Sequence, residues 1–239
     1  MENTNNTPVS AQKKRRMTEE RLEIVVAIFL GVTALLMAWS TWIGGLHGGN
    51  QATNYTMSNN LAAEGNAEYN AANQSLIQDM ITWNSIMDYA TEQEIAELNG
   101  NAAEAELIEA KMEKLMNDNC SSQMLDAIIW ASDQEEDVSP FEMEGFFESY
   151  YEDANALLAE SQALLEQGQK DNTNGDKFGL VSVIYSVVLF LLGIVGVFKR
   201  LPNRVIVFWI AIVMLVIGTI YMLTIPLPTG FSIGSYFQK

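Results

Sequence analysis

Three glutamates, Glu144, Glu148 and Glu152, fall four residues apart, and Glu106, Glu109 and Glu113 are spaced by three and four. On a helix each set makes one stripe of like charge, whose members repel by about 0.2–0.5 kcal/mol per pair unless a cation neutralises them. Two kinds of chemistry use such a stripe: a vestibule that concentrates cations above a pore, and a divalent-metal carboxylate site. The plainer reading, a solvated face that keeps an acidic domain soluble, is preferred. "DNTNGD", from Asp171, fails the calcium-loop pattern because its glycine falls one position too early. A four-helix di-iron site would need Glu-x-x-His pairs, and the sequence has none.

His47 is the only histidine and Cys120 the only cysteine. His47, among glycines in "WIGGLHGGN", would as a functional residue be a ligand or proton carrier at a membrane surface. With no second histidine to complete most metal or catalytic sets, it reads as a histidine at a glycine-rich helix exit. Cys120 in "NDNCSSQ" has no neighbouring base or cation to make a thiolate, so it reads as a structural thiol. No base–nucleophile pair emerges, and the expectation is a non-enzymatic protein without cofactor or metal. The net charge of −17, with no phosphate loop or basic aromatic surface, excludes nucleic acid as a partner.

The elements that carry these residues follow from hydropathy. Ile24 to Ile43, Phe178 to Phe198 and Val205 to Ile225 are uncharged apolar runs, each long enough to cross a hydrocarbon core of roughly 30 Å. Lone runs of this kind satisfy their backbone in lipid only as helices. Lys13, Lys14, Arg15, Arg16 and Arg21 precede the first run, and Lys199, Arg200 and Arg204 lie between the second and third. The positive-inside rule places both clusters in the cytoplasm. The predicted organisation is a cytoplasmic basic tail (1–21), a first span (22–45), an acidic extracytoplasmic helical domain (46–177) and a second span (178–198). A cytoplasmic turn (199–204), a third span (205–225) and an extracytoplasmic tail (226–239) complete it. The plasma (inner) membrane is the expected location.

Ala38-Trp39-Ser40 has the small-x-small form of a signal-peptidase site. Against cleavage stands a spacing: Ala27, Gly31, Ala34, Ala38, Thr41, Gly45, Gly48 and Ala52 recur at alternating steps of four and three. They form one stripe of small residues along a continuous helix, through the cleavage site and beyond it. Small residues let helix backbones approach closely in lipid, so the stripe is a candidate association seam, either between subunits or against the second span. The second span carries its own small residues, Gly179, Ser182, Ser186 and Gly193.

Residues 46–177 hold 26 acidic and 4 basic side chains and one proline, Pro140. The seam is expected to continue through Tyr55, Asn59, Ala62, Asn66, Tyr69, Asn73, Leu76, Met80, Trp83 and Met87. A break follows, and Thr91 with Glu94 reads as a capping box opening a second helix, weakened by Gly100. "SSQMLDAIIWA" makes a short third helix. Ser139, Pro140 and Glu142 form the clearest start signal, opening a fourth helix along Met143, Phe147, Tyr150, Ala154, Leu157, Ser161, Leu164 and Gly168. The fold class is therefore all-α: three transmembrane helices with an extracytoplasmic antiparallel bundle, the first span continuing into it. The triplets beginning at Asn54, Asn73 and Asn119 are glycosylation sequons.

The run "LLMAWSTWIGGLHGGNQATNY", with an Ala/Glu/Asn-rich middle and two closing spans, resembles a family of prokaryotic three-span membrane proteins known only as a domain of unknown function. The resemblance rests on Trp39-Ser40 and on Gly49-Asn50-Gln51-Ala52. It departs from the family where "GLHGG" replaces a second aromatic. It implies topology and a prokaryotic source, and no activity. The leading expectation is a membrane protein that forms a homo-oligomer or docks a membrane-protein partner through the small-residue seam. The alternative is an oligomeric cation channel with Glu144, Glu148 and Glu152 in its outer vestibule.

Overall fold

The computed structural model describes residues 9–135, 138–197 and 201–236. Outside them lie residues 1–8 of the basic tail, the Lys13 to Arg16 side chains, and Lys199 and Arg200 of the basic turn. Among the described residues all regular structure is helical: α1 (Val9–Leu98), α2 (Ala102–Asn119), α3 (Ser122–Ser132), α4 (Phe146–Ser149), α5 (Glu152–Val195) and α6 (Leu201–Thr224). Three of these helices are long and apolar enough to cross a membrane, within Glu19–Leu98, Glu152–Val195 and Asn203–Thr224. The chain divides into two compact units, one of Met1–Tyr55 with Leu165–Lys239, the other of Thr56–Leu164.

The first unit packs α1, α5 and α6 around one core, with Phe29 of α1 edge-on to Phe208 of α6 at 5.8 Å. Its core consists of Val26 and Ile43 from α1, Phe178, Val181, Tyr185, Val188, Leu192 and Val195 from α5, and Phe208, Ala211, Leu215 and Met222 from α6. Its outer surface is apolar as well: Leu35, Phe190 and Leu223 are 73%, 66% and 76% exposed. Meanwhile Thr33 and Ser40 are fully buried. Apolar outside and hydroxyls inside is the pattern of a bundle solvated by lipid, where interhelical hydrogen bonds and close packing replace a hydrophobic driving force. Ser40 donates to the Phe178 carbonyl at 2.9 Å, which ties the small-x-small segment Ala38-Trp39-Ser40 into this packing.

Close approach is achieved with glycine. A Cβ on Gly44 would lie 3.2 Å from Cβ of Phe178, and one on Gly175 would lie 3.5 Å from the Gly44 carbonyl. Gly168 faces the Tyr55 ring, where a Cβ would come within 2.5 Å. This contact line explains why "DNTNGDK", with poor helix propensity and the composition of a loop, stays helical inside α5. Tertiary packing overrides local preference there.

The second unit has a small core of Ala72, Met124, Ala127, Phe146 and Tyr150. Two of its helix boundaries differ from expectation. The break before Thr91 does not occur: α1 continues to Leu98, and the Thr91 hydroxyl donates back to the Met87 carbonyl at 3.0 Å instead of capping a new helix. The stop is Gly100, left-handed at φ 73°. Gly100 N–H bonds the Glu97 carbonyl and Asn101 N–H the Ala96 carbonyl, both at 2.9 Å, the pairing of a Schellman motif. The Ser139–Glu142 capping box does form, but it opens only a 3-10 turn at Pro140–Glu142. Gly145, at φ 77°, then redirects the chain, and the long helix starts at Glu152. An aromatic cluster fills the redirection, with ring centroids 5.5 Å apart for Phe141–Phe146 and 5.3 Å for Phe146–Tyr150.

Candidate functional site

The seam on α1 has the expected period and a shifted phase. Val26, Thr33, Ser40 and His47 are buried at intervals of seven, and so are Ser58, Gly65, Ala72, Asp79 and Ile86. Each stands one residue before a member of the expected seam. Ala27, Gly31, Ala34, Ala38, Thr41, Gly45, Gly48 and Ala52 are all exposed. A Cβ added at Gly31, Gly45 or Gly48 would meet nothing within 4 Å. One position along a helix is a rotation of about 100°, so the small-residue face lies beside the line that packs on α5. Thr41 reaches across, its Oγ1 3.2 Å from the Ser182 hydroxyl. Of the small residues on the second span, Ser186 also faces α1, donating to the Met37 sulfur at 3.7 Å, while Gly179 and Gly193 are open.

The acidic stripe loses its regularity. Glu144 precedes the left-handed Gly145, Glu148 lies in the four-residue α4 and Glu152 begins α5. The three carboxylates therefore do not share one helix. Glu106, Glu109 and Glu113 do lie on α2, all exposed. Among the described residues no group of three or more His, Cys, Asp or Glu side chains is placed to hold a metal ion.

His47 is not simply a residue at a helix exit. It is 1% exposed, with Nδ1 2.8 Å from Oδ1 of Asp171 on α5 and Nε2 3.1 Å from the carbonyl of Pro226, just beyond α6. The ring stacks on Phe178, centroids 5.8 Å apart. Oδ2 of Asp171 accepts amide N–H bonds from Asn54 and Gln167, each at 3.2 Å. A carbonyl oxygen can only accept, so Nε2 donates to Pro226; a carboxylate with two amide donors on its other oxygen is best met by a donor at Nδ1 as well. Every contact is thus satisfied when Nε2 carries a hydrogen and one proton lies between Nδ1 and Oδ1. A buried pair of this kind is tolerated because its remaining lone pairs are hydrogen-bonded.

The segment after α6 closes over this pair. Asn50 donates to the Thr229 carbonyl at 3.3 Å, and Phe231 lies 6.1 Å from Trp39 and 5.8 Å from Trp42, ring centroid to centroid. Beside it opens a pocket of about 630 Å³, lined by His47, Lys170, Thr173, Lys177, Leu227 and Thr229 among others. At the other end of the unit Arg204, in the first turn of α6, donates from Nε to the Val195 carbonyl at 3.0 Å and from Nη2 to Glu23 at 3.2 Å. It thereby caps the C-terminus of α5.

In the second unit Asp79 is 1% exposed and accepts from Ser121 N–H and the Tyr150 hydroxyl, both at 2.8 Å. Burial, reinforced by the Asp79 charge, pushes the neighbouring Cys120 thiol up to about 11. Burial is also the main cause of the raised Tyr150 phenol, with the bond to Asp79 adding to it. Cys120 is thus held as an unreactive thiol.

Neither Asp171 nor Asp79 is conspicuous in the sequence. The one available signal is heptad register, since Asp171 stands seven before Phe178 and Asp79 seven after Ala72. A scan against models of known protein families finds no match to this chain, and comparisons with curated proteins and with solved structures find none either. The resemblance to the three-span family accordingly has no family match behind it, and what stands is an all-helical chain with three apolar helices of membrane-crossing length.

Proposed function

We propose that this is a non-enzymatic multi-pass membrane protein that self-associates through the small-residue face of α1, with its acidic helical unit outside and its N-terminus in the cytoplasm. The observation that carries the reading is the exposure of Ala27, Gly31, Ala34, Ala38, Thr41, Gly45, Gly48 and Ala52. These small side chains suit close helix approach, and all remain exposed in the chain's own packing. Orientation rests on the basic residues before the first span and between the second and third. The cation-channel alternative draws no support from the interrupted Glu144–Glu152 stripe.

Single cysteines introduced into the Cys120→Ser background test the contact. At Gly31 or Gly45 they are expected to cross-link copies of the chain in native membranes, whereas cysteines at the exposed α6 positions Ile206 and Val213 are not. Equal cross-linking on both faces, or none at Gly31 and Gly45, would refute the reading.

A further inference from the structure

We propose that the pocket beside His47 binds the phosphate of an anionic membrane lipid, held by Lys170 and Lys177. The idea rests on the three apolar helices crossing a bilayer and is independent of self-association. The first argument is charge. Residues 46–177 contain only 4 basic side chains against 26 acidic ones, and two of those four line this single pocket. Lys170 and Lys177 are seven residues apart on α5, two helical turns or about 10 Å along one side, with Thr173 and Asn174 between them on the pocket wall. The other ionisable groups at the pocket are Asp171, bonded to His47 at 2.8 Å, and Glu166. With His47 counted as neutral, the two ammonium groups offset the two carboxylates, so the lining is balanced in a chain of net charge −17.

The second argument is level. Lys177 immediately precedes the apolar run that begins at Phe178, and Pro226 and Leu227 immediately follow the run on α6. Leu227, 53% exposed, gives the pocket an apolar wall next to its two ammonium groups. The aromatic cluster of Trp39, Trp42 and Phe231 lies on the same unit, and such rings prefer the membrane–water interface. A polar recess with two ammonium groups and an apolar side, where hydrocarbon meets water, matches an amphiphile with an anionic head. The volume of about 630 Å³ falls in the range of small-molecule sites.

The purified full-length protein in a neutral detergent is titrated with phosphatidylglycerol or phosphatidylcholine and bound lipid is counted by native mass spectrometry. Phosphatidylglycerol is expected to be retained in preference, and the K170Q/K177Q double variant to lose about tenfold or more of that affinity. The K111Q/K114Q variant removes the same charge from α2 and is expected to bind as the wild type does. Helix content by circular dichroism confirms that both variants fold. Equal retention of the two lipids, or equal loss in the two double variants, would overturn the proposal. Displacement of the lipid by inorganic phosphate alone would also overturn it, by making the free anion the ligand.

Discussion

The imidazole of His47 and the carboxylate of Asp171 meet at 2.8 Å across α1 and α5, 124 residues apart in the chain, and the second ring nitrogen reaches the Pro226 carbonyl beyond α6. One side chain thus joins all three apolar helices. Asp171→Ala removes the partner of His47 Nδ1 and the acceptor of the Asn54 amide in a buried place, and leaves Gln167 only its 3.5 Å bond to the Thr229 hydroxyl. Such a loss is expected to cost about 3–5 kcal/mol. His47→Ala with Asp171→Ala is expected to cost less than the two single changes added together, with a coupling of about 1–3 kcal/mol. Thermal melts of the four proteins in one detergent give the cycle, and additive costs would show the pair to be uncoupled.

The glycines of the first unit divide by what a methyl group would meet. Gly168→Ala places a Cβ within 2.5 Å of the Tyr55 ring and Gly218→Ala one at 2.9 Å from Ile184. Overpacking of this kind is expected to cost about 1–3 kcal/mol. Gly45→Ala and Gly48→Ala meet nothing within 4 Å and, as helix-interior replacements, are expected to stabilise the single chain by about 0.5–1 kcal/mol. Melting temperatures that fail to separate the two pairs would contradict the packing described.

The second unit should be sensitive to alkali. Burial holds Cys120 up to about 11 and raises Tyr150 as well, so the fold retains both protons more tightly than the unfolded chain does. For groups raised in the fold, the stabilisation is complete below their ordinary values and is lost as pH rises through the folded ones. Stability of this unit is therefore expected to fall from about pH 9 towards 11. Alkylation of Cys120 by iodoacetamide is expected to be slow at pH 8 and faster in Asp79→Asn, which removes the charge opposing the thiolate. Rapid alkylation of the wild type at pH 8 would contradict this environment.

Periodicity made the helices and the four-three spacing legible, but not which of two adjacent faces packs inward. Small residues mark a face suited to close approach. The inward face is marked by partners that no local pattern reveals: Phe178 for Ser40, Asp171 for His47, Ser161 for Ser58. Local end signals fared unevenly for a related reason. Ser139 caps because Pro140 follows it, whereas Thr91 is overruled by a helix that continues until Ala96 can pack against Ala105 and Ile108. The "DNTNGDK" segment reads as a loop until Gly44 is placed opposite Gly175, and with it the pairing of Asp171 becomes geometrically possible.

The mass of the detergent-solubilised protein, by native mass spectrometry, tests the central claim most directly. A single defined oligomer is expected for the wild type, reduced to monomer in the Gly31→Leu, Ala34→Leu, Ala38→Leu variant, whose side chains block close approach on the open face of α1. A monomeric wild type, or a triple variant with unchanged oligomer mass, would contradict it.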